Sequence, residues 1–512
     1  MAHGMPFAEA LVVQDERILA AGRLADMSLL TGPDDVRIDL GGHMVIPGLT
    51  DSHTHFAAFS FGLTDVNLDG VASLEAALER VRQRAAEGLP EGAWLRGQGF
   101  NANTWDRRPT RWDLDRVAPD RPVILVSKDM HSAWVNSVAL QQAGITAATA
   151  DPAGGRIVRD EHGEPTGILQ ERAQGLVGEI LPERTPDEWR EALLKGIAHA
   201  HARGVVGVHN MDGIDSFRAF QRMHHKGGLA FRVYQQIPEG MLDWAIDVGL
   251  STGYGNASLR VGGVKIFADG SLGSQTAHML EPFTGGDCGV PVHTAAELHA
   301  LISRAVLHDL SVAVHAIGDQ ANQTVLDVLA EVAPESQQRG LRHRIEHAQL
   351  LTATDLPRFA QLGVTASVQP SHAPSDRYIA DRFWGERCSY AYAFKSLLAS
   401  GAHLAFGSDV PVEPLDPLAG IYAAVWRKRL DEPESAPWYP EQRLTVAEAL
   451  SGFTMGAAMA SCEESIKGSL APGKLADLVV LDRDISRGDE ESLRAVRVVA
   501  TVIGGRRVYG EL

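Results

Sequence analysis

The second half of the chain alternates between short apolar runs and longer stretches with helical spacing. The apolar runs are rich in β-branched residues and end in polar ones, which predicts buried parallel strands. Predicted helices separate them, for example over 295–309, 319–332 and 352–362. The predicted strands, in order, cover residues 205–209, 231–236, 260–267, 311–315, 342–347, 364–369 and 403–407.

One further strand is predicted before this series. It leads into Asp51-Ser-His-Thr-His55, after the chain is interrupted at Pro47 and Gly48. Eight strands separated by helices are typical of a (β/α)8 TIM barrel. We therefore predict a barrel over residues 49–465, with an inserted segment at about 57–200 that shows no clear strand–helix repeat.

Both ends of the chain show short strands joined by tight turns. Residues 10–13 and 18–22 flank a polar turn, and the far C-terminus repeats this pattern from residue 476 onward. We predict one small composite β-sandwich domain, built from residues 1–48 and 466–512. Two unrelated β-segments are the alternative.

Composition and charge limit the possible partners. The 512 residues are 45% hydrophobic and 22% charged, as in ordinary globular proteins, and the net charge of −18 disfavours nucleic acid and anionic membranes. No stretch approaches the ~20 apolar residues of a membrane span, and the first residues lack the features of a signal peptide. The three cysteines form no Cys-x-x-Cys pair, which suits a cytoplasmic protein and argues against a cysteine metal site.

Several ionisable residues lie at or near the ends of predicted strands. His53 and His55 form a His-x-His pair, and side chains two apart on a strand point to the same side, as two ligands of one ion must. Each residue alone has an ordinary explanation, such as a rim histidine, a turn aspartate or a snorkelling lysine. Barrel enzymes carry their chemistry at this end of the strands, however, so we predict one shared site. Its members are His53, His55, Lys265, His315, His347 and Asp409.

These residues stand within segments that resemble the amidohydrolase superfamily of metal-dependent hydrolases. The resemblance is to family 3 of that superfamily, the branch with N-substituted formamide deformylase and the exoenzyme regulatory proteins. It covers nearly the whole chain and says little about the substrate. The segments are Pro47–His55, His131–Ser137, Thr166–Glu171, Val264–Gly273, His315–Asp319, Ile345–His347, Gln369–His372, Gly407–Asp409 and Gly468–Asp477.

The resemblance implies a divalent metal cofactor, expected to be zinc, at one or two ions per chain. In the two-metal form, His53, His55 and Asp409 hold one ion, and His315 and His347 hold the other. In some superfamily members the lysine of the fourth strand is carboxylated by carbon dioxide to bridge the ions, and we predict this for Lys265. The alternatives are a one-metal site with an unmodified lysine, or a bridge supplied by Glu171.

The expected reaction is hydrolysis of a carbon–nitrogen bond other than a peptide bond, in a small amide or N-formyl substrate. Metal-activated hydroxide attacks the carbonyl carbon, and Asp409 transfers the proton to the leaving nitrogen. Alternatives are a cyclic amide or ester hydrolase, or a metal-binding regulatory protein without turnover. A homodimer is compatible with such a barrel. The residues expected to contact the substrate are His131, Asn136, Glu171 and His372.

Overall fold

The structure is a computed structural model that describes residues 7–87, 92–102, 105–128, 130 and 132–512. The chain divides into two compact units. The barrel unit consists of Met1–Phe56 together with Ile197–Leu512, and the inserted unit consists of Ala57–Gly196. Within the described ranges, no helix has the length and apolar character needed to cross a membrane.

Eight parallel strands form the sheet of the barrel unit, which confirms the predicted (β/α)8 fold. Neighbouring strands in the sheet are also successive along the chain, as expected for repeated strand–helix units. We number these barrel strands one to eight: Leu49–Thr54, Val205–Asn210, Arg232–Pro238, Leu259–Phe267, Val312–Ala316, Arg344–His347, Thr365–Val368 and His403–Phe406.

The first and last barrel strands meet just beyond the end of the eighth strand. The backbone N–H of Asp409 donates to the carbonyl of His53 at 2.8 Å, and that of His55 donates to the carbonyl of Val410, also at 2.8 Å. Thr54 and Val410 form a parallel bridge at this seam. Three candidate metal ligands are therefore adjacent through the backbone: His53 in the first strand, His55 directly after it, and Asp409 after the last strand.

Helices connect and cover the barrel strands. Their apolar faces pack on the outside of the sheet, as the strongly buried positions of Asp319–Gln338 show. The π-helical segment Gly452–Gly456 contacts the eighth strand. The helix Pro186–His201 begins in the inserted unit and ends in the barrel unit. The α-helices after it are Ile214–His225, Leu242–Asp247, Ala295–Leu307, Asp319–Gln338, Leu356–Leu362, His372–Trp384, Phe394–Ala399, Pro417–Trp426, Val446–Ser451, Ala457–Ala460 and Glu490–Ala495.

Strands from both ends of the chain share one antiparallel sheet. Its order is Arg506–Gly510, Val498–Ile503, Leu478–Leu481 and Met44–Pro47. Ala10–Gln14 and Arg17–Gly22 form a separate hairpin, followed by the short helix Leu24–Ser28. The domain boundaries 1–48 and 466–512 stay a prediction, because these segments belong to the same compact unit as the barrel.

A buried ion pair connects this C-terminal sheet to the barrel. Asp477, which precedes Leu478–Leu481, accepts two hydrogen bonds from the guanidinium of Arg232 on the third barrel strand. The N–H of Gly504 also donates to Asp477, at 2.8 Å. Both side chains of this ion pair are more than 90% buried.

The inserted unit contains a six-stranded mixed sheet that the sequence pattern does not reveal. Its order is Val66–Asn67, Leu95–Phe100, Val123–Ser127, Ser132–Val135, Pro165–Glu171 and Gly155–Arg159. The first three strands are parallel, and the remaining pairs are antiparallel. The helices in and leading into this unit are Phe56–Gly62, Leu74–Ala86, Arg111–Asp115, Ser137–Gln142 and Gly175–Gly178.

Candidate metal centre

Barrel-strand ends bring all six predicted ligand residues to one region of the barrel unit. The possible ligand atoms of His53, His347 and Asp409 lie within 4.8 Å of one another. The imidazole of His347 is 4.7 Å from that of His53 and 4.6 Å from that of His315, measured between ring centroids. His55 and His315 lie beside this group, next to Asp409 and His347 respectively.

Asp409 contacts both members of the His-x-His pair. Its Oδ1 atom is 3.5 Å from Nε2 of His53 and 3.6 Å from Nε2 of His55. Its other oxygen, Oδ2, is 3.9 Å from Nε2 of His372. Burial raises the pKa of Asp409, although the nearby cationic groups oppose this shift.

In each of the four imidazoles, one of the two ring nitrogens lies close to an oxygen atom. Nδ1 of His53 lies 2.6 Å from Oε2 of Glu346, and Nδ1 of His55 lies 3.5 Å from Oδ1 of Asp212. Nδ1 of His347 lies 2.9 Å from Oε1 of Gln369, and Nε2 of His315 lies 2.9 Å from the carbonyl oxygen of Gly270. Such outer contacts fix the ring orientation and tautomer of histidine ligands.

The protonation of His53 and of His347 suits metal binding. Burial and nearby cationic groups hold the pKa of His53 and of His347 well below the usual value, so both rings are neutral at pH 7. A neutral imidazole is the form that binds a metal. Burial tends to lower the pKa of His55 as well, but the hydrogen bond to Asp212 together with the negative charges of Asp212 and Asp409 raises this pKa overall.

Lys265 lies on the fourth barrel strand with its side chain buried. Its Nζ atom has no hydrogen-bond partner among the described residues and lies 4.9 Å from the ring centroid of Phe267. Burial lowers the pKa of this amine to about 8, against the attraction of Glu346 and Asp409. Burial therefore makes the neutral amine more accessible than in an exposed lysine.

The backbone at two site residues is in the left-handed region. His347 has φ 72° and Asp409 has φ 60°, conformations that cost energy for residues other than glycine. Such strain is concentrated at functional sites in proteins. At His347 it turns the end of the sixth barrel strand away from regular strand geometry.

The predicted substrate-contact residues have different surroundings. His372 is 6% exposed, and no hydrogen-bond partner of its Nε2 occurs in the described part of the chain. Asn136 is fully buried and caps the helix Ser137–Gln142, and its amide makes four hydrogen bonds within the inserted unit. Glu171 is exposed and also lies in the inserted unit, while His131 lies outside the described residues. The roles of these four in substrate binding stay predictions.

Sequence reasoning missed the residues that support the ligands. Arg344 is buried on the sixth barrel strand, and its guanidinium contacts both oxygens of Glu346, as well as Nδ1 of His209 at 2.7 Å. Asp269 is buried beside His315 and accepts hydrogen bonds from three backbone N–H groups. Glu346 lies in the segment Ile345–His347, which the sequence analysis names. Its position next to the candidate ligand His347 is the one sequence signal that could have pointed to a role for Glu346 at the site.

The donor set fits a divalent metal ion. Imidazole nitrogens and carboxylate oxygens are the usual ligands of zinc and similar ions, and a buried amine with no partner is unusual unless a ligand or modification uses it. The profile of the amidohydrolase family matches residues 37–509. The chain belongs to the amidohydrolase family.

Similar proteins place this amidohydrolase among metal-dependent hydrolases. It is 36% identical to the protein LONG AFTER FAR-RED 3 of Arabidopsis thaliana, over 99% of this chain and 89% of that protein. It is 31% identical to the N-substituted formamide deformylase of Arthrobacter pascens, over 97% of this chain and 94% of that enzyme. A crystal structure described as an uncharacterized metal-dependent hydrolase from Pyrococcus furiosus superposes with a TM-score of 0.75 at 33% identity, covering 93% of this amidohydrolase and 95% of that chain.

Proposed function

We propose that this amidohydrolase hydrolyses a carbon–nitrogen bond other than a peptide bond, in a small substrate of the amide or N-formyl type. The observation that carries the proposal is the group of His53, His347 and Asp409, whose ligand atoms lie within 4.8 Å of one another. The 31% identity to an N-substituted formamide deformylase over nearly the full chain supports the substrate class.

The proposed ligands divide into two sets. His53, His55 and Asp409 would hold one ion, and His315 and His347 would hold a second. A bound divalent cation would polarise the substrate carbonyl and lower the pKa of water toward about 7. The neutral fraction of the Lys265 amine can add to carbon dioxide and release a proton, which forms a carbamate able to join the two sets.

Asp409 is the proposed proton carrier. One of its carboxylate oxygens faces the two imidazoles of the His-x-His pair, and the other faces His372. In hydrolysis it accepts the proton of the attacking water and delivers it to the leaving nitrogen, which departs as a neutral amine. Nε2 of His372 would donate a hydrogen bond to the carbonyl oxygen as negative charge develops there.

Phe267 would provide an apolar contact beside this site. Its ring is 39% exposed and lies 5.2 Å from the ring of His315, between centroids. Exposed aromatic carbon next to the candidate ligands favours a substrate whose reacting bond carries an apolar substituent.

Metal content and turnover test this proposal together. Elemental analysis of protein purified without chelator should give one or two divalent ions per chain, and two ions would favour the bridged site. A panel of N-formyl and N-acyl amines should then be hydrolysed, with activity lost on chelation and regained on adding metal. Metal without turnover of any member would favour a regulatory, binding-only protein, and no metal at all would refute the hydrolase proposal.

Substitution of Asp409 tests the mechanism. Asp409→Asn should lower kcat by about 100- to 10,000-fold while most of the metal is retained, because the general acid–base is lost and an oxygen ligand remains. Asp327→Asn is a matched control, since that carboxylate is 62% exposed and pairs with Arg358 away from the candidate ligands. Near-wild-type turnover by Asp409→Asn would remove Asp409 from this role.

A further inference from the structure

The contact between Glu346 and His53 is the shortest of the four outer contacts to the candidate ligand rings. The Oε2 atom of Glu346 lies 2.6 Å from Nδ1 of His53, and both side chains are almost completely buried. The ring of His347 has a neutral amide oxygen at the equivalent place, from Gln369 at 2.9 Å. His53 thus has a charged acceptor where His347 has a neutral one.

Arg344 keeps the carboxylate of Glu346 ionised and in place. Its Nε atom donates to Oε1, and its Nη2 atom donates to Oε2 at 3.1 Å. The same guanidinium donates to Oγ of Ser367 at 2.6 Å and to the carbonyl of Ser52. Because a guanidinium remains charged in proteins and donates only, its partner oxygens act as acceptors.

The tautomer of His53 follows from this arrangement. An ionised carboxylate only accepts hydrogen bonds, so the proton of the neutral imidazole lies on Nδ1. Nε2 then carries the lone pair, and Nε2 is the atom 3.5 Å from Asp409 in the candidate centre. A negative charge on the far side of the ring also makes this nitrogen a stronger donor to a cation.

We propose that Glu346, held by Arg344, is a positioning residue that fixes His53 in its metal-binding tautomer and raises the affinity of the centre for a divalent cation. This inference rests on the proposed function, because it requires that His53 binds metal. It assigns Glu346 no contact with the substrate.

A second explanation makes a different prediction. If Glu346 served only to neutralise the buried Arg344, any change that removed both charges would restore the site. If Glu346 acts through the ring of His53, removing both charges would leave metal binding weak. The double substitution Arg344→Met/Glu346→Gln separates these explanations, and replacing both charges of a buried pair is tolerated far better than replacing one.

The test compares wild type, Glu346→Gln, the double variant and the control Glu335→Gln, whose carboxylate pairs with Arg339 on an exposed helix face. Zinc affinity is measured by competition with a chromogenic chelator, and the visible spectrum of the cobalt-substituted protein reports the ligand geometry. We expect about a 10- to 100-fold loss of zinc affinity and an altered cobalt spectrum in both Glu346 variants, and wild-type behaviour in the control.

Two outcomes would overturn the inference, and they are distinct from each other. Wild-type zinc affinity and an unchanged cobalt spectrum in the double variant would refute the positioning role alone, while leaving the proposed function intact. Absence of zinc and cobalt binding by the wild-type protein would refute the proposed function and this inference with it. If Glu346→Gln does not fold, the double variant decides the question.

Discussion

Removal of one partner of the buried ion pair between Asp477 and Arg232 should strongly destabilise the barrel unit. Asp477→Asn removes the negative charge and leaves the guanidinium of Arg232 buried opposite a neutral amide. Both side chains are less than 10% exposed, and two hydrogen bonds join them. Loss of one partner of such a pair costs about 3–5 kcal/mol of unfolding free energy.

This loss corresponds to a measurable change in Tm. For a unit of roughly 370 residues, it corresponds to a decrease of about 4–6 °C. Asp215→Asn is the matched control, because this carboxylate is 67% exposed and pairs with Arg218 one turn away. The control should change Tm by less than about 1 °C. Differential scanning calorimetry of the three proteins gives the comparison.

A double substitution completes this test. Arg232→Leu/Asp477→Leu removes both charges and should recover more than half of the lost Tm, since no uncompensated charge remains buried. A Tm for Asp477→Asn within about 1 °C of wild type would refute the reasoning. A double variant less stable than Asp477→Asn would show that hydrogen bonding, such as that from Gly504, matters more than charge.

Three further predictions concern other parts of the chain. Lys265→Ala should lose metal and activity, with partial recovery of activity in formate or acetate; elemental analysis and kinetics would measure this, and full activity without rescue would exclude a carbamate. Burial tends to raise the pKa of Asp113, but hydrogen bonds from Arg107 and Thr110 outweigh it and lower this pKa to about 2. Because the folded pKa is depressed, this carboxylate stabilises above its unfolded pKa of about 3.9, and the contribution is lost as pH falls from about 4 to 2. The Tm advantage of wild type over Asp113→Asn should shrink across that window, and a constant difference would contradict the assignment. Asn136→Ala should lower the unfolding free energy by about 2–3 kcal/mol in urea titrations, since a helix cap and a buried acceptor are lost, and a neutral effect would contradict that structural role.

The barrel could be predicted closely because its strands are covered on both faces. Val312–Ala316 is almost entirely buried, and such strands appear in sequence as short apolar runs between helices. The inserted sheet lacks this signal. Val66–Asn67 is only two residues long, and Leu95–Phe100 contains Gly97, where a Cβ atom would lie 2.6 Å from the carbonyl of Val66. Close backbone contact, which sequence periodicity does not report, selects the glycine there.

The ligand positions could be predicted, but their supporting residues could not. His53 and Asp409 mark strand ends, and strand ends converge in a barrel. Glu346 and His347 are adjacent, however, and regular strand alternation would point them to opposite faces. The left-handed backbone at His347 interrupts that alternation. Which oxygen meets which ring nitrogen also depends on contacts across the barrel, such as that from Glu346 to His53, which follow only from the folded geometry.

The seam between the first and last barrel strands determines when the candidate metal centre can form during synthesis and folding. His53 and His55 leave the ribosome long before Asp409, and the hydrogen bond from Asp409 to the carbonyl of His53 can form only after the eighth strand has been made. A nascent chain that ends short of this point contains the His-x-His pair without its carboxylate. The full set of proposed ligands therefore exists only in a chain whose barrel has closed, so metal uptake would come late in synthesis and would favour the closed ring.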